Sequence, residues 1–260
     1  MNGLPHSTPR AKALMLWLPA AALAGLACAL PRIPQPQHYH EFADQRTIFW
    51  VPNFLNTSSN ILFVLAGLAG LRFLHSETGR DSFLKPREAL PYALFFFAVI
   101  LTGFASGYYH LAPDNDRLMW DRAAITLALV SWFDAILCER VTLTTGLRLL
   151  PLMFTAGLGS VAYWGLSELH GRGDLRAYGL IQCYPILLIP LLLRLYPPRY
   201  TGDKDILTVI GLYLIALLCD FNDRRIATLI EMISGHTTKH LLAALSAYWV
   251  VIRLKQRRIL

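Results

Sequence analysis

Five side chains in two distant segments have the types and spacing that metal-assisted hydrolysis requires. Ser106 and His110 stand one helical turn apart, and Asp121 follows eleven residues later. Far along the chain, His236 and His240 stand four residues apart, which places both on one helix face. Three imidazoles with a carboxylate and a hydroxyl match an open catalytic zinc site, in which three protein ligands leave one position free. The spacing therefore predicts zinc ligation by the three histidines.

The histidine pair alone is a weak signal. A histidine inside a membrane helix often only hydrogen-bonds a carbonyl group of a neighbouring helix. A third histidine, His110, at the same predicted depth, together with Ser106 and Asp121, favours the metal site.

The composition indicates that a membrane protein holds these residues. The 260-residue chain is 55% hydrophobic and only 16% charged, whereas about a quarter of the residues in a soluble domain are charged. The net charge of +7 does not indicate nucleic-acid binding, because the basic residues lie between apolar segments, where they set membrane topology. The four cysteines include no CxxC pair and predict neither a disulfide framework nor a cysteine-ligated metal.

Eight apolar segments approach the roughly 20 residues that a membrane-spanning helix needs. They lie at 13–30, 56–74, 90–110, 119–138, 148–167, 178–196, 206–220 and 235–253. The first could instead be a cleaved signal peptide, because Arg10 and Lys12 precede it, but its length favours a retained helix. The predicted fold is an all-α polytopic membrane helix bundle.

The basic residues predict the orientation of this bundle. With the N-terminus in the cytoplasm, the inside segments contain more than half of the 24 Lys and Arg residues, as the positive-inside rule expects. Eight spans then place both termini in the cytoplasm. His110 ends an outward-going helix, and Asp121 begins the next, inward-going one. His236 and His240 begin the last inward-going helix, so the candidate site is predicted to face the non-cytoplasmic side.

The five residues resemble the pattern of the alkaline ceramidase family, part of a membrane hydrolase superfamily that also includes adiponectin/progestin-type receptors. That pattern is a serine and a histidine ending one helix, an aspartate beginning the next, and HxxxH in the last helix. The stretch from Asn53 to Asn60, NFLNTSSN, is similar to the family's entry to its first helix. The resemblance covers about residues 39–253 and implies a seven-helix hydrolase domain there. Residues 1–38 then form an N-terminal segment with an added helix, and 254–260 form a basic cytoplasmic tail.

The resemblance implies a zinc-dependent amidase that cleaves the N-acyl bond of ceramide or a ceramide-like lipid to a fatty acid and a sphingoid-type amine. His110, His236 and His240 would bind Zn²⁺. Asp121 would act on the attacking water, and Ser106 would help to position that water or the oxyanion. The partner implied is a membrane lipid.

The resemblance also implies an N-terminal calcium site, of which this chain keeps few carboxylates. The family's glutamate aligns with Asn53, and only Glu41 and Asp44 stand upstream. Because Ca²⁺ takes six to eight oxygen ligands, these three residues predict either a residual calcium or structural loop, or a solvated loop.

Two aromatic residues adjoin the candidate site residues in the sequence. Tyr109 and Trp120 are predicted to line a lipid pocket, on proximity in sequence alone.

Two other functions are alternatives to the amidase. A non-catalytic lipid receptor or sensor would use the same scaffold without turnover. A haem protein would use two histidines as axial ligands and leave Ser106 and Asp121 without a role.

Overall fold

A computed structural model describes residues 8–260, apart from the side chains at positions 9–11, 13 and 17. Within these residues the secondary structure is helical, with no named strand. The helices are α1 (Pro9–Ala29), α2 (Phe54–Ser58), α3 (Ile61–His75), α4 (Glu77–Asp81), α5 (Ala89–Leu111), α6 (Asn115–Arg140), α7 (Leu143–Leu169), α8 (Arg176–Leu195), α9 (Asp203–Phe221), α10 (Asp223–Ile230) and α11 (Gly235–Gln256). Single 3-10 turns occur at Gln37–His40 and Pro86–Glu88. The predicted all-α helix bundle is confirmed.

Seven of the eight predicted apolar segments coincide with one long helix, and the segment 56–74 covers the end of α2 and most of α3. Polar caps explain where two of the boundaries differ. Asp114 accepts a hydrogen bond from the backbone N–H of Arg117 at 2.7 Å, so α6 begins at Asn115, before the apolar stretch. Thr142 accepts one from the N–H of Thr145 at 3.0 Å, and α7 begins five residues earlier than predicted. A capping side chain satisfies an otherwise unpaired N–H, which hydropathy does not show.

Four described helical segments are long and apolar enough to cross a membrane. They are Phe54–His75, Pro86–Leu111, Leu143–Leu169 and Arg176–Leu195. A fifth qualifies if α9 and α10, which meet at 83°, form one broken span. Helices α6 and α11 are as long, but their ionisable residues lower their hydropathy. The chain is therefore a multi-pass membrane protein. The predicted basic N-terminal segment begins in residues 1–7, which lie outside the described residues.

Six helices surround a central cavity, and the other two long helices pack outside them. The wall consists of α3, α5, α6, α8, α9 and α11. Helix α7 packs against α6 and α8, and α1 packs on α8. The Arg176 guanidinium donates hydrogen bonds to the carbonyls of Ala27 at 3.0 Å and Leu30 at 2.6 Å. These bonds hold the end of α1 to the start of α8.

Glu139 is the centre of a buried ionic cluster at the end of α6 opposite Asp121. Its carboxylate accepts hydrogen bonds from Arg253 at 2.6 Å, from the Tyr92 hydroxyl at 2.6 Å, and from Arg257. The cluster ties together α5, α6 and α11. Arg257 lies in the predicted tail at 254–260, so the start of that segment is part of the bundle.

Close packing of α3 on α5 predicts the effect of one added methyl group. A Cβ at Gly67 would lie 2.6 Å from the carbonyl oxygen of Phe96 and 2.5 Å from Cγ1 of Ile100. Because the first of these atoms is backbone, the helices would have to separate. We expect Gly67→Ala to lower the free energy of unfolding by about 1–3 kcal/mol, seen as a lower thermal midpoint in detergent. Gly159→Ala is the control, because a Cβ there meets nothing within 4 Å. Equal midpoints for the two variants would contradict this packing.

Candidate functional site

His110, His236 and His240 form a buried cluster at one end of the bundle. One nitrogen of each ring lies within 4.8 Å of those of the other two, and the Nε2 atoms of His110 and His236 are 3.2 Å apart. His110 comes from the last turn of α5. The other two come from the start of α11, where Ser234 caps the helix by accepting a hydrogen bond from the Thr237 N–H at 3.2 Å. The fold thus brings together three histidines that are up to 130 positions apart in sequence.

Two of the imidazoles have their outer nitrogen fixed by a polar partner. The Nδ1 of His236 lies 2.6 Å from a carboxylate oxygen of Asp220, which can only accept, so Nδ1 carries the proton. The Nδ1 of His240 lies 2.8 Å from the Ser59 hydroxyl, which itself donates to the carbonyl of Asn56 at 3.1 Å. His240 Nδ1 therefore also donates. These contacts leave a lone pair on Nε2 of both rings, the tautomer that metal-binding histidines use.

The cluster fits a metal ion. His236 and His240 present acceptor nitrogens, while His110 can supply at most one N–H, and its Nδ1 is buried without a hydrogen-bond partner. A cation satisfies the converging lone pairs at once. Three imidazole nitrogens suit zinc and also other first-row divalent metals. Within the described part of the chain, this is the one such cluster of three or more His, Cys, Asp or Glu side chains.

A cavity of about 240 Å³ extends from the histidine cluster into the bundle. Its polar end includes Ser106, Asp121 and His240, the predicted catalytic side chains beside a metal ligand. One oxygen of Asp121 is buried without a partner, and Ser106 interacts with this carboxylate. The apolar part is lined by Phe63, Phe95, Val99, Ile125, Ala128, Leu129, Trp132, Pro185, Ile186, Val209, Ile210, Leu217, Ala243 and Ala247. A carboxylate with one unpartnered oxygen therefore lines a mostly apolar cavity next to the histidine cluster.

Residues 41–53 form a covering loop over the histidine cluster. The Phe42 ring centroid lies 4.7 Å from that of His110 and 4.4 Å from that of His236. Asn53 donates a hydrogen bond to the backbone carbonyl of His110 at 2.8 Å. Asp223 accepts from the N–H of His236 at 2.7 Å and from that of Ala43 at 2.8 Å. The segment therefore shields the site from the end of the bundle.

The geometry does not bring Glu41, Asp44 and Asn53 together around a cation position. Hydrogen bonds from Arg46 Nε and Nη2, both at 2.8 Å, occupy both carboxylate oxygens of Asp44 and lower the pKa of that group. Glu41 faces Arg224 at 3.4 Å, and Asn53 faces His110. Calcium binding stays a prediction, and the observed role of this loop is to cover the cluster.

Neither Tyr109 nor Trp120 is among the residues that line the cavity. Tyr109 is buried, and its hydroxyl lies 2.9 Å from His40 Nδ1 beneath the covering loop. Trp120 is 60% exposed on the outside of α6. Successive residues on a helix point about 100° apart, so Tyr109 and Trp120 can adjoin His110 and Asp121 in the sequence and still point away from the cavity.

Three functional contacts were absent from the sequence analysis. Asp220 ends the predicted segment 206–220, and its carboxylate binds both His236 and, at 3.2 Å, Lys239. Ser59 lies inside the stretch that resembles the ceramidase family, where its pairing with His240 had no sequence signal. The one available cue was a carboxylate at the end of the apolar segment that precedes HxxxH in the sequence.

Neutralising Asp220 should weaken metal binding without removing a metal ligand. Asp220→Asn can still hydrogen-bond His236 but loses the charge that supports the imidazole. We expect about 10–100-fold weaker zinc binding, measured by competition with a chromogenic chelator. Asp205→Asn is the control, because Asp205 lies in the first turn of α9, at the opposite end of that helix, and accepts a hydrogen bond from the Trp249 indole there. Unchanged zinc affinity in Asp220→Asn would separate this carboxylate from the metal site.

The described geometry supports metal-assisted chemistry on an apolar substrate. It joins a buried three-histidine group, a carboxylate with a free oxygen and an apolar cavity. Comparison with protein-family models and with curated proteins found no match for this chain.

Proposed function

We propose that this protein is a zinc-dependent membrane amidase that hydrolyses the N-acyl bond of ceramide or a ceramide-like lipid to a fatty acid and a sphingoid-type amine. One observation carries the proposal: the buried histidine group adjoins an apolar cavity in which Asp121 has an unpartnered oxygen. The choice of an N-acyl lipid comes from the resemblance of the five site residues to the alkaline ceramidase family.

The side chains divide the chemistry between them. The three histidines would hold a zinc ion, which would supply Lewis-acid polarisation of the amide carbonyl and a lower pKa of the attacking water. Asp121 accepts a proton from the attacking water and passes it to the leaving amine, for which its free oxygen is available. Ser106 donates a hydrogen bond that holds the water or the oxyanion. Asp220 and Ser59 keep His236 and His240 in the binding tautomer.

The shape of the cavity supports a lipid substrate. Lipid-binding sites are mostly apolar with a few polar groups that fix orientation, and this cavity is lined mostly by apolar side chains, with Ser106, Asp121 and His240 among its polar ones. The acyl chain lies along the apolar wall, and the amide lies next to Asp121. The substrate enters laterally from the leaflet at the histidine end, because His110 ends a helical segment, Pro86–Leu111, that is long and apolar enough to cross a membrane.

The proposed orientation places both termini in the cytoplasm and the histidine cluster toward the opposite face. The asymmetry of basic residues in the sequence supports it. Topology reporters fused after Leu260 and inserted in the turn between α5 and α6 should report opposite sides of the membrane. Reporters on the same side would overturn this orientation.

A labelled-water experiment tests the proposed reaction. Purified protein is incubated with an N-acyl sphingoid lipid in H₂¹⁸O, and the products are analysed by mass spectrometry. Hydrolysis predicts a free amine and a fatty acid that carries one ¹⁸O atom. Stoichiometric lipid binding without products would indicate the receptor alternative, and a Soret band would indicate the haem alternative; either result would overturn the amidase.

A further inference from the structure

Arg122 is a buried cation in the wall of the same cavity. Its side chain belongs to a residue that is only 6% exposed, and it lines the cavity beside Asp121. One terminal nitrogen, Nη2, donates a hydrogen bond to the side-chain oxygen of Gln35. The other, Nη1, is buried and has no hydrogen-bond partner among the residues that the structure describes. A guanidinium in this state has a donor available for a ligand.

Aromatic rings hold the guanidinium in place. Its central carbon lies 4.1 Å from the ring centroid of Trp164, 4.9 Å from that of Tyr178 and 5.9 Å from that of Tyr39. Such contacts stabilise the charge through the ring faces, and they leave the N–H groups in the guanidinium plane free. The donors of Arg122 are therefore ordered before a ligand arrives.

Three carboxylates could in principle pair with Arg122. Two of them have other partners, and the third, Asp121, does not form a two-bond pair with the guanidinium. Glu168 accepts hydrogen bonds from the N–H of Gln35 at 2.9 Å and from the Trp164 indole at 3.1 Å. Asp174 is paired with Arg176 at 2.7 Å. Asp121 has one oxygen without any partner, so it does not form a two-bond pair with Arg122.

The second cation that lines the cavity, Lys239, has a carboxylate partner. Lys239 is paired with Asp220 at 3.2 Å. Burying a charge is costly unless it is paired and hydrogen-bonded. Among the described contacts, Arg122 is therefore the cavity cation without an ion pair, although the charge of Asp121 acts on it from nearby.

We propose that Arg122 binds the carboxylate of a lipid in this cavity. Arginine suits this ligand because its N–H groups form strong charge-assisted hydrogen bonds to carboxylate oxygens. The identity of the lipid rests on the proposed amidase function, which offers two sources of a carboxylate. One is the fatty acid that hydrolysis releases, and the other is an acidic group on the amine half of the N-acyl substrate.

A binding experiment tests the site without requiring turnover. Zinc-loaded protein in detergent is titrated with palmitate and with hexadecanol, which share a chain length and differ in charge. We expect Arg122→Gln to weaken palmitate binding by about 10-fold or more and to leave hexadecanol binding unchanged. Arg117→Gln is the control, because Arg117 pairs with Asp114 outside the cavity, and it should bind both ligands like the wild type.

Equal weakening of both ligands, or of neither, would overturn the proposal. If Arg122→Gln does not fold, Arg122→Lys replaces it, because lysine keeps the charge without the planar fork. That variant should also bind palmitate more weakly, with hexadecanol unchanged. Unaltered palmitate binding in Arg122→Lys would overturn the proposal.

A kinetic comparison identifies the source of the carboxylate. N-palmitoylglycine and N-palmitoylethanolamine differ mainly in having a carboxylate or a hydroxymethyl group. If the head group is the source, the wild type has a kcat/KM about 10-fold higher for N-palmitoylglycine, and Arg122→Gln removes the preference. If the product is the source, both substrates react alike, and inhibition by palmitate weakens in Arg122→Gln. No change in either measurement would overturn the site.

The two proposals fail in different ways. Palmitate discrimination that depends on Arg122, without hydrolysis of any N-acyl lipid, would overturn the amidase and leave the carboxylate site. Hydrolysis of an N-acyl lipid, with palmitate binding that does not depend on Arg122, would leave the amidase and overturn the carboxylate site.

Discussion

Replacing His236 by alanine should remove zinc binding and, with it, lipid hydrolysis. Three imidazoles form the cluster, and the described chain offers no fourth His, Cys, Asp or Glu ligand to the group. Loss of one nitrogen therefore leaves two, below the three protein ligands of a catalytic zinc site. We expect zinc to fall from about one ion per chain to a small fraction of that, measured by plasma mass spectrometry after dialysis.

His40→Ala is the matched control for this loss. His40 is near the cluster, but its nitrogens face the Tyr109 hydroxyl at 2.9 Å and the Asn115 side chain at 3.0 Å. This variant should keep its zinc, even though it loses two hydrogen bonds under the covering loop. Full zinc occupancy in His236→Ala would remove His236 from the ligand set.

Replacing Asp121 by asparagine should separate metal binding from proton transfer. Asparagine keeps the size of the side chain and removes the charge that accepts a proton. Because Asp121 is outside the three-histidine group, zinc should stay largely bound, while turnover should fall by roughly 10²–10⁴. Ser106→Ala should lower the rate more mildly, by roughly 10–10³, as loss of one oxyanion or water-orienting donor does.

Asp134→Asn is the control for the kinetic effect of Asp121→Asn. Asp134 lies on the same helix, is also buried and also has an unpartnered oxygen, but it does not line the cavity. Metal content, thermal midpoint and rate are measured together in both variants. A purely structural Asp121 would lower the midpoint without a specific rate defect. A stable, zinc-loaded and fully active Asp121→Asn would show that this carboxylate is not the base.

Much of the scaffold follows from local features of the sequence. Apolar length locates the spanning helices within a few residues, because a bilayer imposes a minimum length on each. The i, i+4 spacing of His236 and His240 fixes their shared helix face. Alternation of helix direction then places His110 and Asp121 at the same end of the bundle as this pair, and the structure has that arrangement.

Contacts between distant helices did not follow from the sequence. Asp220 and Ser59 meet His236 and His240 only after α9, α3 and α11 have packed, and no local periodicity encodes those pairings. The covering loop depends on Phe42 stacking on two rings from different helices. Packing of this kind is decided by the whole bundle.

The prediction that Tyr109 and Trp120 line the pocket was based on proximity in sequence, and neither residue lines the cavity. Tyr109 and Trp120 adjoin His110 and Asp121 in the chain, yet the helical rotation per residue points them away from the cavity. The tyrosines at the cavity, Tyr39, Tyr178 and Tyr213, come from segments far away in sequence. Side-chain direction within a helix was the missing consideration.

Metal reconstitution tests the central claim most directly. Purified protein is stripped with a chelator, and its hydrolysis of an N-acyl lipid is followed while zinc is added back. The zinc-dependent mechanism predicts no activity in the stripped protein and a linear rise that ends at about one equivalent of zinc per chain. Activity that survives complete metal removal would contradict it.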